Sequence, residues 1–414
     1  MLKKISVFFL LLFSTFSFAQ QATSSPYSFY GIGDVRFKGT VENRLMGSIA
    51  IFADSLHLNI QNPASYSSLK MTTYTVGAAF NSAKENSFFG NEKSQRSTLD
   101  YMAVGIPLGR SGIGFGLIPY SSVGYRIQKR DGSENVRKYL GSGGLNKVFV
   151  GYGYKVNENW RVGADINYNF GKIETKNISK LVELQYGAQE LNTSGLSGLN
   201  FNLAAMYEHK ISTKLHLFSS LMYAPESKLK SKNERILSSV LYTETFDPID
   251  VDRLEAEKTS STLIIPSKVT FGIGLGEKRK WSFGAEITYQ ESSKFENRLN
   301  DVSNVEYKNV FKYSFGGSII PNYNAFSNYF KKITYRGGFR YENTGMVIKN
   351  ESIRDYAMTA GFGLPLGGAF SNLNIGVEYG RRGTAKALLV EENYTNVIMS
   401  LSLNDRWFVK RKYE

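Results

Sequence analysis

Beyond residue 70 the chain repeats one unit to its end: about ten residues of apolar/polar alternation, then a break. Period two marks a strand whose two faces meet different surroundings. The breaks are of two kinds. Short ones fall at 109–111, 157–159, 212–213, 278–279 and 367–370, and long ones at 81–96, 129–143, 175–195, 231–264 and 291–305. A meander of strands crossing a membrane has this form, with tight turns on one side and long loops on the other. The spacing predicts strands at 71–80, 97–108, 112–128, 144–156, 160–174, 196–211, 214–230, 265–277, 280–290, 306–320, 333–347, 352–366, 371–383 and 390–403. The expected fold is therefore all-β, a transmembrane 14-stranded antiparallel β-barrel spanning 71–408, with both ends on the periplasmic side. One periplasmic connection, 321–332, is longer than the rule and is read as a small periplasmic element.

Faces follow from the same alternation. Trp160, Val162, Ala164, Ile166, Tyr168 and Phe170 share one side, and Arg161, Gly163, Asp165, Asn167 and Asn169 the other. A charge facing lipid near the bilayer midplane costs about 2–4 kcal/mol, so the polar side is the interior. Lys155, Arg161, Asp165, Glu208, Glu286 and Glu378 are expected to point inward. Buried charges must be paired or hydrogen-bonded, so these residues are read as anchors for a plug; lining a solute path is the rival role.

Fourteen strands enclose more space than side chains fill. Residues 20–70 lack a spanning pattern and are the expected plug, or hatch, inside the lumen. Before them, Lys3-Lys4, an apolar run at 5–13 and Ser17-Phe18-Ala19 form an export signal cleaved near Ala19. A mean hydropathy of −0.26 is too polar for a helical membrane protein but suits a barrel with a wet interior. The net charge of +14 is scattered, with no basic helix that would suggest nucleic acid; contact with outer-membrane lipid and solvated loops explain it. The basic end, 409–414, is placed in periplasmic water.

Leu45-Met46-Gly47-Ser48-Ile49-Ala50 followed by Asn62-Pro63-Ala64 resembles the hatch of the FadL-type family of long-chain fatty acid transporters, which includes PorV-like members. Gly105-Ile106-Pro107-Leu108-Gly109 and Gly361-Phe362-Gly363-Leu364-Pro365-Leu366 are similar to the strand–turn–strand phrasing of such barrels. The resemblance implies passive transport of a hydrophobic small-molecule ligand, with lateral exit through a kinked third strand. Here Pro119 lies inside that strand, where it removes a ladder N–H. Pro119, Tyr120, Ser121 and Ser122 are therefore the candidate wall opening, the alternative being a harmless bulge. The loops argue differently: 81–96 and 231–262 are rich in Lys, Glu, Asp and Ser, whereas an apolar solute needs an apolar pocket. The second function considered is a docking subunit for protein secretion or barrel assembly.

Enzyme chemistry is not expected. There is no cysteine, and only His57, His209 and His216 could serve as base or ligand. A tight turn at 212–213 would set His209 opposite His216, with alternation sending them to opposite faces. No metal or cofactor is expected. The final strand meets Trp407-Phe408, an aromatic ending similar to the element read by barrel-insertion machinery.

Overall fold

The computed structural model describes residues 23–35, 37–88, 90–130, 135–241, 248–294, 305–325, 328–366 and 371–407. The export signal, the tail 409–414 and Phe408 of the aromatic ending lie outside the described residues. Fourteen wall strands follow: β1 (Thr72–Ser87), β2 (Gly90–Leu108), β3 (Ser111–Arg130), β4 (Val136–Lys155), β5 (Trp160–Lys180), β6 (Gly187–Lys210), β7 (His216–Ala224, then Ser227–Leu241), β8 (Ile249–Arg253, Glu257–Ile265 and Lys268–Glu277), β9 (Trp281–Gln290), β10 (Val305–Tyr307 and Val310–Ile319), β11 (Thr334–Ile348), β12 (Glu351–Pro365), β13 (Asn372–Gly383) and β14 (Glu391–Asp405). Every neighbour pairs antiparallel. The last strand closes on the first, from Glu391 opposite Asn86 to Asp405 opposite Thr72.

The two faces sort by polarity as the alternation requires. On β5, Val162, Ile166 and Tyr168 are exposed while Asp165, Asn167 and Asn169 are buried in the lumen. The same holds on β9, where Phe283 and Ile287 look out and Glu286 is buried. The exposed apolar residues of adjacent strands lie at one level, with Tyr154 opposite Val162 and Val148 opposite Tyr168. This is the lipid-facing belt.

The segments expected to be long loops are largely strand. Residues 81–96 are a hairpin with its turn at Phe88, and 129–143, 175–195 and 231–264 continue the ladder almost to their tips. Strand β6 has 24 residues. At about 3.3 Å per residue that is roughly 80 Å, whereas about 10 residues cross a bilayer. Strands β3 to β8 thus leave the membrane together as an arm. The alternation fades there because neither face meets lipid, and backbone pairing is joined by polar side-chain bonds such as Asn233 to Ser261 at 3.0 Å and Arg235 to Glu190 at 2.7 Å.

Two prolines mark where the arm departs. Pro225 interrupts β7 and Pro266 interrupts β8, and the flanking residues pair, Ala224 with Lys268 and Ser227 with Ile265. A proline gives no ladder N–H, so adjacent strands break at one level and the wall bends. On the opposite side the turns are tight. The exception at 320–333 is a closed loop in which the Asn322 N–H donates to the Lys331 carbonyl at 2.8 Å.

Candidate functional site

The site is the contact between the N-terminal segment and the wall around it. Val41–Arg44 is one helical turn, and Pro63–Ser68 is a 3₁₀ turn that begins at Asn62. The Asn62 Oδ1 accepts the Ala64 N–H at 3.2 Å, and the Asn62 amide donates to the Ala50 carbonyl at 3.4 Å. Asn62-Pro63-Ala64 is therefore an Asx cap that also ties two parts of the segment together. Asn62 and Ala64 are fully buried.

Glycines in the wall make the seats for these turns. A Cβ at Gly163 would lie 2.4 Å from the Ala64 nitrogen, one at Gly153 2.5 Å from the Pro63 carbonyl oxygen, and one at Gly112 2.0 Å from the Tyr66 oxygen. Across the lumen, Cβ atoms at Gly316 and Gly338 would come within 2.2 Å of Met46 and 2.1 Å of Gly47. Strands β3, β4 and β5 on one side and β10 and β11 on the other thus hold the same segment. Its Pro63–Ser68 and Met46-Gly47 turns touch opposite sides of the wall. These glycines remove side chains where a foreign backbone approaches, a use that local pattern does not announce.

Charge completes the attachment. Arg44 donates to Glu378 on β13 at 2.5 Å and to Asp100 on β2 at 3.0 Å. Glu378 also takes Arg340 of β11 at 2.9 Å. Asp34 of the N-terminal segment pairs with Arg382 at 2.6 Å, and Arg382 with Asp355 at 3.1 Å. Glu286 accepts the Ala50 N–H at 2.9 Å, and Asn374 bridges to Glu42 at 2.9 Å.

The six inward charges expected from the sequence divide into three groups. Glu286 and Glu378 touch the N-terminal segment directly. Asp165 is buried but is held by its own wall, accepting from Asn202 at 2.7 Å and from Asn167. Lys155, Arg161 and Glu208 sit at the tight-turn rim. There Arg161 meets Glu208 at 3.2 Å, Glu208 meets His216 at 3.0 Å and Lys278 at 2.5 Å, and Lys155 reaches Glu158 at 2.8 Å. None of those rim bonds reaches the N-terminal segment. The residue opposite His216 is Lys210, and His209 faces Leu217, so the two histidines are not set against each other. The turn is 211–215, longer than the spacing suggested. Among the described residues no group of three or more His, Asp or Glu is arranged to hold a metal ion.

The third strand behaves unusually at Pro119. Its pairing with β2 runs only from Ser111 opposite Leu108 to Leu117 opposite Met102. Past that point β2 turns to β1 alone. The freed edge of β3 takes the N-terminal segment instead, with Ser122 opposite Asp34 and Ser121 opposite Val35. On the other edge the register with β4 skips one residue between Pro119 and Ser121, leaving Tyr120 as the bulge. Tyr120 points inward and is buried, with the Lys38 ammonium 3.9 Å and the Lys147 ammonium 4.8 Å from its ring centre. Burial and the nearby Lys268 hold the Lys38 ammonium well below its usual range. The seam is closed by the Ser121 hydroxyl on the Ile32 carbonyl at 2.8 Å and by the Gly124 N–H on the Ser28 hydroxyl at 3.2 Å.

Two cavities adjoin these features. One of about 150 Å³ lies between the N-terminal segment and the wall and is lined by Arg44, Asp100, Arg340, Glu378, Arg382 and Glu392. A larger one, about 570 Å³, lies in the arm among Arg137, Tyr139, Gln189, Glu190, Leu237, Asp252 and Leu254. Neither is the apolar chamber that a hydrocarbon requires.

A family model described as BamG matches residues 1–414, the whole chain. None of the curated proteins compared matches it. Among solved structures it is similar to a Pseudomonas aeruginosa FadL homologue, at 14% identity and a TM-score of 0.57 over 91% of this chain and 99% of the other. The Pseudomonas putida toluene transporter TodX matches at 14% identity and 0.56, over 94% and 100%. The monoaromatic hydrocarbon channel CymD matches at 13% and 0.57, over 90% and 98%. At such identities the likeness shows the fold alone: a FadL-like β-barrel.

Proposed function

We propose that this chain, which belongs to the BamG family, is a non-enzymatic structural and docking subunit of an outer-membrane protein assembly complex. The family name is associated with an assembly machine, and one observation carries the reading: the N-terminal segment is held by the wall on opposite sides. Glycine seats on opposite sides take the Pro63–Ser68 turn and the Met46-Gly47 turn, and Arg44, Asp34, Glu42 and Ala50 are bonded to six wall side chains. Releasing such a hatch would uncover buried charges, which is expensive. What the barrel offers instead is surface. Its tall arm stands clear of the membrane on the side away from Thr72 and Asp405, where the barrel wall begins and ends, the outward side if those two residues are periplasmic. Residues 1–19 are then the export signal, 23–70 a fixed cork, and Glu286 and Glu378 its anchors.

The seam beside Pro119 favours a second reading, passage of hydrophobic compounds. If residues 28–35 left the edge of β3, the gap above Leu117 would open sideways into the bilayer. Purification from native membranes at native expression in gentle detergent separates the two. Protein partners at constant stoichiometry support the subunit. A barrel isolated alone with long-chain lipid or fatty acid in its lumen supports transport and overturns the docking role.

A further inference from the structure

Among the described residues the arm ends in a sheet edge with no partner strand. Strand β8 extends from Lys268 to Ile249, but its neighbour β9 stops at Gln290, opposite Lys268. Above that level β8 pairs only with β7, from Ile265 opposite Ser227 to Glu257 opposite Arg235 and on to Ile249 opposite Leu241. Beyond the Glu291 N–H on the Ser267 carbonyl at 3.1 Å, no described residue pairs with its other edge. All of Ile249–Arg253 and six consecutive residues from Glu257 to Thr262 are exposed. An edge this long presents a row of unpaired N–H and C=O groups, which natural sheets cover, shorten or interrupt. No proline falls between Pro248 and Pro266, and the edge is interrupted at 254–256 and by a bulge between Asp250 and Asp252.

The edge also carries a charge sign. From Ile249 to Thr262, Asp250, Asp252, Glu255 and Glu257 lie along it against Arg253 and Lys258, an acidic excess in a chain whose net charge is +14. Leu254 is 60% exposed beside Leu237 at the mouth of the arm cavity, giving an apolar seat next to the ladder.

We propose that this edge receives an extended, lysine- or arginine-bearing segment of a partner protein, added to β8 as a further strand. The proposal rests on the docking role given above and names the partner's chemistry. The ladder supplies main-chain hydrogen bonds to any extended segment, the acidic row selects a basic one, and the Leu237–Leu254 seat takes one apolar side chain.

Hydrogen exchange on the native complex tests it, read against the same chain stripped of partners by stronger detergent. Every second amide between Glu257 and Thr262 faces the free edge, and these amides are expected to exchange at least 10-fold more slowly in the complex. Two single variants, Thr259→Pro and Ser260→Pro, add a test by function, because one of two neighbouring residues aims its N–H outward. That one is expected to release the partner while the barrel keeps its heat-modifiable migration. The exposed pair Glu255→Lys with Glu257→Lys is expected to weaken retention of the partner without touching the ladder. A complex that stays intact in all three variants, with edge amides exchanging equally fast in both samples, overturns the edge proposal and leaves the docking role standing. A chain recovered alone from native membranes overturns the docking role itself.

Discussion

Arg44 is the single hatch side chain on which the lock depends most, and replacing it by methionine isolates the charge. Its side chain is 14% exposed and that of Glu378 4%, so the pair is nearly dry. Removing one partner of a buried ion pair commonly costs 3–5 kcal/mol. Glu378 keeps Arg340 at 2.9 Å, so the loss should fall below that range, at about 2–3 kcal/mol. That corresponds to a roughly 30- to 150-fold larger population of the released hatch. The chain has no cysteine, so a Thr40→Cys background gives one reporter thiol at a position that is 1% exposed. The maleimide labelling rate in detergent then follows release of the hatch. It is expected to rise by that factor in Arg44→Met, with the barrel still folded by electrophoretic heat-modifiability. Equal rates with and without Arg44 would refute the argument that charge holds the hatch.

Other expectations follow from the same contacts. Gly163→Val places side-chain atoms where the Ala64 backbone lies and is expected to lower the unfolding temperature of the barrel by several degrees. Gly195→Val, whose Cβ meets nothing nearer than 3.8 Å, should leave it within one or two degrees. Glu286→Ala strands the buried Ala50 N–H at a cost of about 1–3 kcal/mol, whereas Glu286→Gln keeps an acceptor and should recover most of it in denaturant unfolding. Ile166→Lys puts a charge on the lipid face and is expected to destabilise the barrel in bilayers by about 2–4 kcal/mol. A loss no larger than that of an exposed arm residue such as Ser260→Lys would mean the belt is misplaced.

Much of this was legible in the residues, for identifiable reasons. Lipid on one side and water or hatch on the other impose period two, so Trp160 to Phe170 and Trp281 to Gln290 announce both strand and facing. The ladder break at Pro119 was signalled because proline lacks an N–H, although the residue alone does not separate a wall opening from a bulge. The arm was not: Ser227 to Leu241 and Glu257 to Ile265 are largely polar strands, so composition made them look like loop. The lock was half visible. Glu286 and Glu378 stood out as charges on an inward face, but their partners, Arg44 and the Ala50 N–H, carry no local signal. Lys155, Arg161 and Glu208 share that inward parity yet sit at the rim, because parity gives the face and not the height.

Ion conductance across a planar bilayer tests the corked lumen most directly. With the full chain inserted, current is expected to stay at the level of the bare membrane, because residues 23–70 occupy the space that fourteen strands enclose. Steady open steps from the intact protein would contradict the account.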